Sequence, residues 1–127
     1  MSKRILLIED DKDFAELVTY MLARAGNAYT VLVANDGQEG LAKAQQEQPD
    51  LIITDLMLPR LNGYEVCAML KQDVRYQKIP VMIWSATKVQ DRDAKLASEC
   101  GADRFELKSL TSEQLQQAIH ELLGRGG

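Results

Sequence analysis

Apolar residues gather into five short runs: Ile5-Leu6-Leu7-Ile8, Thr30-Val31-Leu32-Val33-Ala34, Leu51-Ile52-Ile53-Thr54, Val81-Met82-Ile83-Trp84 and Arg104-Phe105-Glu106-Leu107. The first, third and fourth carry no polar alternation. Strands buried on both faces look like that, which predicts a parallel sheet. Between the runs the apolar spacing changes to three and four. Phe14, Leu17, Val18, Met21, Leu22 and Ala25 form a helical stripe, with Gly26 placed to end it. Leu115, Ala118, Ile119, Leu122 and Leu123 repeat the spacing near the C-terminus. Asp36 to Gln46 favours helix and stops before Pro49. Further helices are predicted from Gly63 to about Asp73 and along a thinner stripe, Ala94, Ala97 and Cys100, that ends at Gly101. Strand and helix alternate five times, which predicts a single doubly wound (βα)5 α/β domain with helices on both faces of an open parallel sheet. The domain is expected over residues 1–123, with 124–127 a flexible tail and no output domain after it.

Composition narrows the function classes. Hydrophobic residues make up 46% of the chain and charged residues 27%, an ordinary globular balance. A net charge of −4 argues against a broad nucleic-acid footprint, so no direct nucleic-acid partner is expected. The first apolar run is too short for a signal-peptide core or a membrane span, so no membrane insertion is expected. Cys67 and Cys100 lack metal-ligand spacing and read as two inert, partly buried thiols in a reducing cytoplasm. The one histidine, His120, reads as a surface residue of the last helix.

Sites in open α/β sheets form at the carboxyl ends of the strands. The first predicted strand ends in Glu9-Asp10-Asp11, the third in Asp55, the fourth in Ser85 and the fifth in Lys108. Two carboxylates about 4 Å apart repel by roughly 4 kcal/mol at an effective dielectric near 20. A hard divalent cation relieves that repulsion, and Mg²⁺ prefers one or two carboxylates together with waters and phosphate oxygens. An aspartate in such a setting can act as a nucleophile and become an aspartyl phosphate, with the metal, the ammonium and the hydroxyl neutralising the phosphoryl charge. Asp11 and Asp13 read instead as acids at a helix N-terminus. Trp84 reads as packing.

Over essentially its whole length the sequence resembles the receiver domains of two-component response regulators. The resemblance rests on Ile8-Glu9-Asp10-Asp11, on Asp55-Leu56-Met57-Leu58-Pro59 followed by Asn62-Gly63, on Trp84-Ser85-Ala86, and on Gly101-Ala102-Asp103 leading to Lys108. It implies a flavodoxin-like strand order 2-1-3-4-5. It implies that Asp55 is the phosphoacceptor and that Mg²⁺ is held by Asp10, Asp55 and the backbone carbonyl of Met57, with Glu9 acting through water. Ser85 is then the switch hydroxyl, and Lys108 pairs with the acyl phosphate. Phe105 stands at the family's switch aromatic and reads equally as core. Pro59 and Gly63 shape the loop after Asp55. Met57 and Thr87 occupy the positions that tune dephosphorylation; neither is suited to orient an attacking water, which implies a long-lived phosphorylated state.

The implied function is a cytoplasmic single-domain response regulator. It takes a phosphoryl group from a sensor histidine kinase or a histidine phosphotransfer protein. It signals to a downstream protein target through the face of the fourth helix, fifth strand and fifth helix. It catalyses only its own phosphorylation and hydrolysis. One departure stands out: Ser109 follows Lys108 where the family usually has proline. A trans bond is expected there, and the departure keeps open a receiver-like binding module that works without phosphorylation. An aspartyl phosphatase would want a second acid at the Met57 position. A flavin site would want a phosphate-binding loop after the first strand, where this chain has acids.

Overall fold

A computed structural model describes residues 2–26, 28–86, 95, 96 and 99–126. The elements are β1 (Lys3–Ile8), α1 (Lys12–Ala23), β2 (Tyr29–Ala34), α2 (Gly37–Glu47), β3 (Leu51–Asp55), α3 (Gly63–Lys71), β4 (Val81–Ser85), β5 (Arg104–Leu107) and α4 (Ser112–Gly126). The five strands form one parallel sheet in the order β2-β1-β3-β4-β5. The apolar runs buried on both faces supply its centre: β3 and β4 are buried at every position.

Alternate side chains of the strands feed two separate cores. Ile5, Leu7, Leu51, Ile53, Met82 and Trp84 face Val18 and Leu22 of α1 and Leu115, Ala118, Ile119 and Leu122 of α4. Leu6, Ile8, Ile52, Val81 and Ile83 face Ala44 of α2 and Val66, Cys67 and Leu70 of α3. Each fully buried Ile or Leu contributes about 1.5–3 kcal/mol. A register slip of one residue would exchange the two sets, so this burial fixes which residue ends each strand.

Side-chain caps start the helices where the sequence places them. Asp11 caps α1 and accepts from the backbone N–H groups of Asp13 and Phe14 at 3.0 and 3.2 Å. Asp36 caps α2 through Glu39 N–H at 2.8 Å. Asn62 and Glu65 close a capping box on α3.

Two boundaries differ from the sequence reading. Helix α1 ends at Ala23, and Ala25 lies in the turn that leads to Gly26, whose φ is +72°. Helix α4 runs on to Gly126, past the tail boundary expected at Gly124. No proline interrupts that stretch and Gly124 keeps a negative φ, so the helical ladder continues. The predicted fourth helix lies mostly outside the described residues; Lys95, Leu96 and Glu99 are helical, and Gly101 has φ +88°.

The loop after β3 turns sharply into α3. Gly63 N–H donates to the Leu56 carbonyl at 3.0 Å, and a Cβ at Gly63 would meet the Asp55 carbonyl oxygen at 2.5 Å. That oxygen belongs to the backbone and cannot swing aside. Gly63→Ala is therefore expected to cost about 1–3 kcal/mol in urea denaturation. An unchanged midpoint would show that the turn yields freely.

Candidate functional site

The strand order reverses between β1 and β3, and the crevice outside their carboxyl ends is where doubly wound sheets bind ligands. Residues from four strand ends meet there. Glu9 follows β1 and is fully buried; Asp55 ends β3 and Ser85 ends β4, both buried. Asp10 is exposed at the rim. Carboxylate oxygens of Glu9, Asp10 and Asp55 lie within 4.8 Å of one another.

Lys108 closes the group from the end of β5, where its N–H continues the ladder to the Ser85 carbonyl at 2.9 Å. Its Nζ donates to Glu9 Oε1 at 2.6 Å and lies 3.1 Å from Asp55 Oδ2. Among the described residues no peptide bond is cis, and Lys108 reaches both acids with Ser109 after it. Glu9 Oε2 also accepts from Asp11 N–H at 3.2 Å, and Asp55 Oδ1 from Met57 N–H at 3.3 Å.

Burial sets the electrostatics. It raises the Glu9 carboxyl above its ordinary value, and the Lys108 hydrogen bond offsets only part of the rise. Burial alone would lower Lys108, but its hydrogen bond to Glu9 and the charge of Asp55 outweigh that and raise it. Three hard oxygen donors, two of them buried and the third open to water at the rim, suit a divalent cation that keeps several waters, and that fit is the one expected of Mg²⁺.

The remaining sequence-derived positions fall as follows. The Met57 side chain is 73% exposed at the mouth of the site. Phe105 is half-buried and packs on the α2–α3 core. Thr87 lies outside the described residues. Cys67 is buried, Cys100 half-buried, and burial pushes the Cys67 thiol well up. Trp84 is a core residue as read; among the described residues nothing accepts from its buried Nε1–H. One neighbour leaves no mark in the sequence pattern: the Phe14 ring lies 4.6 Å from Lys108 Nζ and meets Trp84 edge-on at 5.3 Å. Periodicity marked Phe14 only as one more apolar position of α1.

Strand order, strand-end acids and the lysine above them define a doubly wound α/β protein with an acidic pocket at its topological switch point. Residues 5–120 match the profile of the response regulator receiver domain, and the chain belongs to that family. It is 39% identical over 127 residues to the alkaline phosphatase synthesis transcriptional regulatory protein PhoP of Bacillus subtilis (strain 168), a match covering 98% of this chain and 50% of that one. The chain spans about half the length of the curated relatives it matches. Among solved structures, the signal receiver domain of a signal transduction histidine kinase from Syntrophus aciditrophicus is similar at 31% identity and a TM-score of 0.87, covering 97% of this chain and 91% of that one. The phosphorylated cyanobacterial phytochrome response regulator RcpA is similar at 31% identity and a TM-score of 0.81, covering 95% and 91%. Among the described residues no helix is long and apolar enough to cross a membrane.

Proposed function

We propose that this receiver domain takes a phosphoryl group on Asp55 from a phosphohistidine of a sensor histidine kinase or histidine phosphotransfer protein. An Asp55 oxygen bonds to phosphorus as the phosphorus–nitrogen bond to the imidazole breaks. Asp10, Asp55 and the Met57 carbonyl would hold Mg²⁺ in the acidic pocket, with Glu9 reaching it through water, and the ion would screen the incoming charge. Lys108 moves its ammonium onto a phosphoryl oxygen, and Ser85 follows the new charge. Phe105 then turns toward the vacated space and carries the change to β5 and α4, where a downstream protein reads it. The domain acts on no substrate other than its own aspartate. The same reading puts it in the cytoplasm, where its two thiols stay reduced.

The observation that carries the reading is the bridge of Lys108 between Glu9 and Asp55, with Asp10 open to solvent beside them. A cation site and an ammonium flank the same carboxylate, the pairing that stabilises a transferring phosphoryl group. A relative of the same fold is itself phosphorylated.

Acetyl phosphate with Mg²⁺ is expected to add one phosphoryl mass, labile to hydroxylamine and absent in Asp55→Asn. No adduct, under conditions that modify a control receiver, would favour a binding module that works unphosphorylated.

A further inference from the structure

We propose that Phe14 is a positioning residue for Lys108: its ring face steers the ammonium toward Asp55 and keeps hold of it while the phosphoryl group arrives. The inference rests on the reading of Lys108 as the partner of a phosphorylated Asp55. An ammonium has three donors. Two face Glu9 Oε1 at 2.6 Å and Asp55 Oδ2 at 3.1 Å, and the ring centroid lies 4.6 Å from the same nitrogen. The Lys108 side chain is only 14% exposed, so little water competes for the third side. Desolvation of this kind is where a cation over an aromatic face gains most.

The ring is itself held. Trp84, 1% exposed, meets it edge-on at an interplanar angle of 61°. Trp84 lies one residue before Ser85, and Phe14 sits in the first turn of α1, four residues after Asp10. The shelf under Lys108 is thus built from β4, which ends in the hydroxyl, and from α1, which follows Glu9 and Asp10. A ring face also attracts without a fixed hydrogen-bond direction. The ammonium can therefore exchange a carboxylate oxygen for a phosphoryl oxygen without losing the ring.

The test replaces Phe14 with Leu, with Tyr, and with phenylalanines carrying one, three and five fluorines. Fluorine drains the negative face of the ring and leaves its shape nearly unchanged. Two quantities are read: the Lys108 Cε proton shifts in the unphosphorylated protein, and the rate of phosphorylation by acetyl phosphate at saturating Mg²⁺. The shifts are expected upfield from the ring current in wild type and Phe14→Tyr, and near their free values in Phe14→Leu. The rate is expected to fall roughly three- to tenfold in Phe14→Leu and stepwise along the fluorine series, with recovery in Phe14→Tyr. A phosphorylated wild type with a flat fluorine series, or with no upfield shift, overturns the inference alone. A wild type that takes no phosphoryl group overturns the functional reading and this inference together.

Discussion

Lys108→Met is expected to slow phosphorylation of Asp55 by about 10²- to 10³-fold, the usual cost of removing one preorganised charge partner. It is also expected to destabilise the metal-free fold by about 3 kcal/mol at neutral pH. Both effects have one origin. Lys108 Nζ is the counter-charge for a fully buried Glu9 and a nearly buried Asp55. Methionine keeps most of the volume and leaves two acids facing each other in low dielectric. The pH dependence follows from the sign of the Glu9 shift. Its folded value lies above the ordinary 4.5, chiefly through burial. The folded state therefore binds the proton more tightly than the unfolded chain, and the Glu9 contribution falls as pH rises from 4.5 through the folded value. Without Lys108 the folded value climbs further. The stability deficit of Lys108→Met should widen between about pH 5 and pH 7 and shrink on acidification. Lys108 itself is raised above 10.5, so its contribution in wild type is fully present below that pH and lost as pH rises through the folded value. Urea denaturation in chelator at both pH values reads the difference. Wild-type stability at neutral pH would show that the buried acids find another partner.

The fold was legible because the strands that matter are apolar on both faces. Leu51 to Ile53 and Val81 to Trp84 have no polar residue to alternate with, and central parallel strands are where such runs are stable. Once the strand ends were placed, the site followed, since Glu9, Asp55, Ser85 and Lys108 each sit at or just beyond one. What spacing does not encode is how side chains far apart in the chain converge. The family resemblance pairs Lys108 with the acyl phosphate alone, yet its shortest contact is with Glu9, a residue that the same resemblance implies as a second metal acid. Phe14 shares the stripe of Val18 and Leu22, and nothing in a helical period separates a ring that fills core from one that meets an ammonium. Lys71 is similar. It donates to the Ile79 carbonyl at 2.8 Å and to Asp103 Oδ2 at 2.9 Å, while the same Asp103 oxygen accepts from Val81 N–H at 2.8 Å. That tie fixes where β4 and β5 begin, and no local pattern announces it.

Asp10→Asn is expected to weaken Mg²⁺ binding by about 100-fold or more, while leaving the metal-free protein at least as stable as wild type. The two expectations have opposite signs for one reason. Asp10 adds a third negative charge within 4.8 Å of two others, a cost without metal and the source of affinity with it. Its neighbours are already engaged: Glu9 by Lys108 and Asp11 N–H, Asp55 by Lys108 and Met57 N–H. Asp10 alone stands exposed at the rim, where an incoming hydrated cation meets it first. Free Mg²⁺ at a hundred times its dissociation constant should stabilise wild type by about 2.7 kcal/mol, seen as a rise in Tm. The asparagine variant should show almost none of that rise. In wild type the affinity should increase with pH through the raised Glu9 value, because metal and proton compete for the same negative pocket. Calorimetric titration and thermal melts, each with and without chelator, separate the two arms. An equal Mg²⁺-dependent rise in wild type and Asp10→Asn would place the cation elsewhere. A variant less stable than wild type in chelator would show that Asp10 is held by a contact that outweighs the repulsion.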